Sequence, residues 1–237
     1  MISSPLIFEV KMNTTCHIGF LLFPQVTQLD LTGPAQILGR VPGAKVHLVW
    51  KTLEPVATDI GFTINPTTSF ADCPQLDVLC VPGGFGIEHL LTDTETLAFL
   101  RRQGETAKYV TSVCTGSLVL GAAGLLKGYR SACHWMWRQY LPQFGAIPVA
   151  ERIVRDRNRI SGGGVTAGID FGLALAAELA GEDAAKAIQL AFEYDPQPPF
   201  ACGSPEAAGP QLVALLKSLQ ESRVKRVEEQ IAKALHA

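Results

Sequence analysis

Three side chains in this 237-residue chain combine a reactive atom with a setting that could use it. Cys114 ends the run Tyr109-Val110-Thr111-Ser112-Val113, whose β-branched and aromatic composition is that of a buried strand. The segment from Thr115 to Ala123 then reads as a helix, and Gly116, two places past the cysteine, lets the chain turn sharply. The thiol would sit on a strand-to-helix elbow over the positive end of a helix, which lowers a thiol pKa and makes a nucleophile. A buried core position is the usual fate of a free cysteine, and the elbow alone leaves both readings open. Asp30 follows the carboxyl end of an apolar strand, the edge where sites form in open α/β sheets. Its plainer roles are a helix cap or a solvated loop acid. His134 ends a short strand beside Trp135, where a histidine is more often structural than catalytic.

If Cys114 and Asp30 are neighbours, two negative charges would repel and one group must keep a proton. The helix end favours charge on sulfur, leaving Asp30 as a neutral proton donor. That pairing supplies a nucleophile and an acid with no histidine. Pro82-Gly83-Gly84-Phe85-Gly86 follows a strand directly, so its glycines either let the backbone approach a ligand or make a tight turn. Backbone N–H groups near Gly84 and Thr115 would steady developing negative charge. Gly162 to Gly168 (GGGVTAG) lacks the P-loop lysine and the GxGxxG spacing, and reads instead as a loop packed against the nucleophile. Phe85, Ile87 and Val165 give the expected pocket an apolar character.

The elements that must position these residues follow in order. His17 to Phe23 is the first, central strand, and a loop leads from it into a helix containing Pro34. Val46–Lys51 is a second strand. Residues 55–58 and 62–67 suggest a hairpin at the sheet edge. Val78–Val81 is a strand, and a helix over Thr94–Thr106 crosses back to the Cys114 strand at βαβ spacing. Trp135–Phe144 reads as a helix, with Trp135, Trp137, Tyr140 and Leu141 inward. A hairpin turns at Asp156-Arg157-Asn158, and helices follow over Ile169–Ala180 and Ala184–Phe192. Asp195 to Pro205 is a proline-rich arm suited to crossing a partner subunit. Gln211–Leu235 closes the chain as one amphipathic helix with Lys217, Glu221, Lys225, Glu228 and Glu229 solvated.

A formal charge of -2 and a pI near 6.2 give no electrostatic reason to expect nucleic acid or an anionic membrane. No window approaches the roughly 20 apolar residues of a membrane span. Leu6-Ile7-Phe8 is too short for a signal-peptide core, so the cytoplasm is the expected compartment. The six cysteines form no CxxC pair and no zinc-like cluster with histidine, and a chain with 47% hydrophobic residues needs no disulfide staples. The expected organisation is an N-terminal extension over 1–15, then one α/β domain over 16–237 that includes the arm and helix over 201–237. No metal or organic cofactor is implied.

The segments FLLFPQVTQLDLTGP, VPGGFG, YVTSVCTGSLVLGAAGLLKG and ISGGGVTAGIDF together resemble the ThiJ/PfpI superfamily of flavodoxin-like domains. Within it they are most similar to the isocyanide hydratases. The resemblance implies a mostly parallel central sheet with helices on both faces and a nucleophile elbow. It implies Cys114 as nucleophile, Asp30 as acid/base and Thr115 beside the nucleophile, with Gly163 and Val165 in the loop lining the site. The implied reaction is hydration of a small-molecule isocyanide to an N-formamide by a homodimer. The same motifs resemble the ligand-sensing domains of AraC-type regulators, which carry a helix-turn-helix module afterwards. A cysteine-dependent glyoxalase or deglycase is the other alternative. Thr115 stands where the peptidase and amidotransferase branches often place a histidine, which argues against Cys–His chemistry here.

Overall fold

The computed structural model describes residues 15–236; the expected N-terminal extension lies almost wholly outside them. The chain opens with β1 (Cys16–Leu21), buried on both faces, and a loop leads to α1 (Gln28–Leu38). Strand β2 (Ala44–Trp50) pairs parallel with β1. The expected edge hairpin is present in shortened form: β3 (Val56–Ala57) and β4 (Thr63–Ile64) pair by themselves, while β5 (Thr68–Ser69) extends the main sheet beside β2. Then come β6 (Val78–Val81), the one-turn α2 (Ile87–Leu90), α3 (Thr94–Thr106), β7 (Tyr109–Val113) and α4 (Gly116–Ala122). Two short strands, β8 (Arg130–Ser131) and β9 (Ile147–Pro148), pair outside the main sheet. The hairpin β10 (Ile153–Asp156) and β11 (Arg159–Gly162) precedes α5 (Ala167–Ala180) and α6 (Glu182–Ala191).

Seven strands form the main sheet in the order β10-β11-β7-β6-β1-β2-β5, parallel except for the β10–β11 pair. This is the flavodoxin-like winding: the chain lays β2 to one side of β1 and then reverses to lay β6, β7 and β11 on the other. Sites in such sheets form outside the carboxyl ends of the strands where the order reverses, here between β1 and β6. Helices α1, α5 and α6 pack together, while α2, α3, α4 and the last helix pack against one another and β6. Burial on both faces explains why the central strands read as continuous apolar runs rather than alternating ones. Helices α1 and α5 approach closely because Gly168 and Gly172 face Pro34 and Ile37; a Cβ on Gly172 would lie 3.1 Å from Ile37 Cβ. That contact ties Asp30's helix to α5, the helix that follows β11.

Two expected helices differ. The segment after His134 forms a 3-10 helix over Arg138–Phe144 rather than an α-helix over Trp135–Phe144. Pro142 within it has no N–H for an α-helical bond, and Gly145 in the left-handed region ends it. The closing segment is two helices, α7 (Pro205–Leu219) and α8 (Glu221–Leu235), rather than one. At Gln220 the backbone leaves the helix (φ -105°, ψ 4°) and its N–H bonds back to the Lys217 carbonyl at 3.2 Å. Helix α7 starts earlier than expected, where Ser204 accepts from the Ala207 N–H at 3.2 Å, and kinks at Gly209 before Pro210. It buries no residue, whereas α8 plants Val227 and Ile231 in the core.

Candidate active site

Cys114 ends β7 in the left-handed region at φ 58°, and α4 begins two residues later. A cysteine gains nothing from that conformation, which costs a non-glycine residue about 1–2 kcal/mol. Its N–H is held by the Gly162 carbonyl at 3.0 Å, and its carbonyl receives the His134 N–H at 3.4 Å. The strained backbone is therefore pinned from both sides. The thiol side chain lies among its neighbours with only 6% exposure.

Asp30 is neither a cap nor a solvated loop acid. It lies in the first turn of α1, 1% exposed, and its Oδ2 accepts the Gly83 N–H at 2.9 Å. Oδ1 is buried with no hydrogen-bonding partner, and the thiol of Cys114 is a group whose field the carboxyl feels. Burial pushes the Asp30 pKa up to about 7, against the downward pull of the Gly83 N–H and the thiol. Burial also pushes the Cys114 thiol well above its usual value, with the Asp30 charge adding to the effect and the Thr115 N–H opposing it. The shift runs opposite to the lowering expected from the elbow, because loss of water around sulfur outweighs the end of the seven-residue α4. Burial disfavours ionisation of both groups, so the pair gives up its protons in two steps and shares a single proton between them.

Gly83 makes the junction between the two groups. A Cβ there would lie 2.5 Å from Thr115 Oγ1, 2.6 Å from Thr115 N and 2.8 Å from Asp30 Oδ2. The Gly84 N–H, expected to face a substrate, instead donates to Thr115 Oγ1 at 3.1 Å. Thr115 thereby fixes the glycine loop, while its own N–H serves the sulfur.

Above the sulfur opens a cavity of about 250 Å³, whose wall includes Thr27, Phe85, Trp137, Val165 and Arg223. Of the expected pocket residues, Gly84, Phe85 and Val165 reach this wall. Ile87 is fully buried in the core, and Gly163 spends its N–H on the Arg152 carbonyl at 2.9 Å behind the wall. His134 lines the cavity, but burial and the Arg223 charge press its pKa down to about 4. It is a neutral ring whose Nδ1 accepts from the Met136 N–H at 3.4 Å, consistent with a structural role.

Sequence reasoning missed the contribution of the closing helices. Leu216, Gln220 and Arg223 roof the cavity, whereas the sequence reading gave this stretch an amphipathic helix with no part in the site. A signal existed: Arg223 stands four residues before Val227 and eight before Ile231, the two residues α8 buries.

An open parallel sheet with a cysteine on a left-handed elbow, facing a buried carboxylate from the helix after the first strand, defines a flavodoxin-like protein built for cysteine chemistry. The pattern of the DJ-1/PfpI family matches residues 17–178, and the chain belongs to that family. It is 60% identical over 192 residues to an isonitrile hydratase of Pseudomonas putida, a match covering 81% of this chain and 84% of that one. The solved structure of a ThiJ/PfpI family protein from Pseudomonas syringae superposes with a TM-score of 0.89 at 47% identity, covering 92% of this chain and 90% of the other. The transcriptional regulator GbdR of Pseudomonas aeruginosa is 32% identical over 187 residues, 75% of this chain but 50% of the regulator. Among the described residues no helix is long and apolar enough to cross a membrane.

Proposed function

We propose that this protein is an isocyanide hydratase that adds water to R–N≡C and releases the N-formamide, with Cys114 as nucleophile and Asp30 as proton carrier. The observation that carries this reading is the Cys114–Asp30 pair, buried together beneath the cavity, while His134 in the cavity wall is held neutral. Asp30 takes the thiol proton as sulfur bonds to the isocyano carbon, then delivers it to that same carbon, giving the thioimidate R–N=CH–S-Cys. As a carboxylate again, it draws a proton from water as the oxygen adds to the carbon, and passes that same proton to the nitrogen. Collapse of R–NH–CH(OH)–S-Cys breaks the C–S bond, forms R–NH–CHO and restores the thiol. Thr115 holds the glycine loop and aims its N–H at the sulfur, stabilising it as attacking and leaving group.

A cavity of about 250 Å³ suits a small molecule. The packing of α8 into the core supports one domain over residues 16–237. Helix α7 leaves Leu212, Leu215, Leu216 and Leu219 exposed, which supports a homodimer that covers them. The 60% identity to a hydratase favours turnover over sensing alone. The decisive experiment follows cyclohexyl isocyanide by formamide absorbance in the parent protein and in Cys114→Ser. Turnover abolished by the substitution supports the mechanism. An inactive parent with a reduced thiol, or an unimpaired variant, overturns it. Methylglyoxal in parallel separates the glyoxalase or deglycase alternative.

A further inference from the structure

Arg223 is a cation built into the cavity wall, and among the described residues no carboxylate pairs with it. Its guanidinium lies 4.4 Å from the Phe85 ring centroid and 4.9 Å from that of Trp137. One Nη2 donates to the Gly84 carbonyl at 2.8 Å, and Nε is buried with no partner. Two carboxylates whose charge reaches it are committed elsewhere: Glu88 pairs with Arg226 at 3.3 Å, and Asp59 accepts from Thr27 Oγ1 at 2.6 Å. Among the described residues no carboxylate forms an ion pair with Arg223. The guanidinium is half-buried, and its stacking and the Gly84 bond leave its charge without a carboxylate to meet it.

We propose that Arg223 is the specificity residue of the cavity and selects isocyanides whose R group carries a carboxylate. The inference rests on the hydratase reading of the same site. Cys114 and Arg223 both line the cavity, so a ligand can set its isocyano carbon on sulfur and its carboxylate on the guanidinium. The apolar wall between them, Phe85, Trp137, Val165 and Leu216, fits a short hydrocarbon stem. Guanidinium sheds water more readily than ammonium and presents a planar fork to a carboxylate.

The test compares 3-isocyanopropanoate with its methyl ester in the parent and in Arg223→Gln. The parent should favour the acid by about 10–100-fold in kcat/KM. Arg223→Gln should remove that preference, the kcat/KM of the acid falling about 10–100-fold relative to that of the ester. Equal parent turnover of acid and ester, or a variant that loses both alike, overturns the proposal. Calorimetry with the products, N-formyl-β-alanine and its methyl ester, reads the same preference without catalysis. Should neither isocyanide be hydrated, the hydratase reading falls on its own. Product binding then decides the anion site: acid preference lost in Arg223→Gln upholds it, and equal or absent binding overturns it.

Discussion

At the scale of the residue, the site depends on two acids that burial makes reluctant to ionise. Because Asp30 titrates near 7 and Cys114 well above its usual range, the singly protonated pair forms as pH rises through about 7. If that form is the catalyst, kcat/KM rises about tenfold per pH unit below 7 and levels off above it. A pH profile checks this, and Asp30→Asn should lose both the acid limb and most activity. The same shift has a sign for stability. A raised carboxyl pKa means the folded state holds the proton more tightly, so this contribution is greatest below 3.8 and is lost as pH rises through about 7. Asp30→Asn should therefore be more stable than the parent at pH 8, by up to about 4 kcal/mol, and nearly equal to it at pH 3.5. Urea unfolding at both values measures the difference. The sequence made Cys114 and Asp30 visible as partners, but not where their proton rests. That depends on walls contributed from across the chain, which no local pattern announces.

At the scale of the element, the strand ends do the positioning. Gly83 admits no side chain between Thr115 and Asp30, so Gly83→Ala should move the nucleophile and its proton carrier apart. A displacement near 1 Å costs on the order of 10²-fold in rate. Steady-state kinetics should show that loss, while Gly203→Ala, with open space around it, should keep parent kinetics and melting temperature. Strands and the elbow were legible because continuous apolar runs, a terminal cysteine and Gly116 are local signals. The 3-10 turn at Pro142 was legible in principle, since proline forbids the α-helical bond. The break at Gln220 was not: Gln-Glu-Ser carries no proline or glycine, and the bend exists because α8 packs into the core while α7 does not.

At the scale of the molecule, α7 is an apolar face without cover in a single chain. If a second copy covers it, the parent should sediment as a dimer, and Leu215→Glu should shift it to monomer at micromolar concentration with its circular dichroism retained. A monomeric parent would remove the dimer reading. The flavodoxin-like winding β2-β1-β6-β7-β11 is what the family resemblance implied, whereas the roof over the cavity was not legible, because it returns from the far end of the sequence. That return has a consequence in time. Gly84 and the arginine that bonds its carbonyl are 139 residues apart. At ribosomal speeds they are made roughly 7–30 s apart. For the later part of that interval, once β7 and Cys114 have been made, the elbow has its own strand and no ceiling. A newborn chain thus shows its thiol to the cell before it can choose what enters, and any oxidant present has its easiest access then.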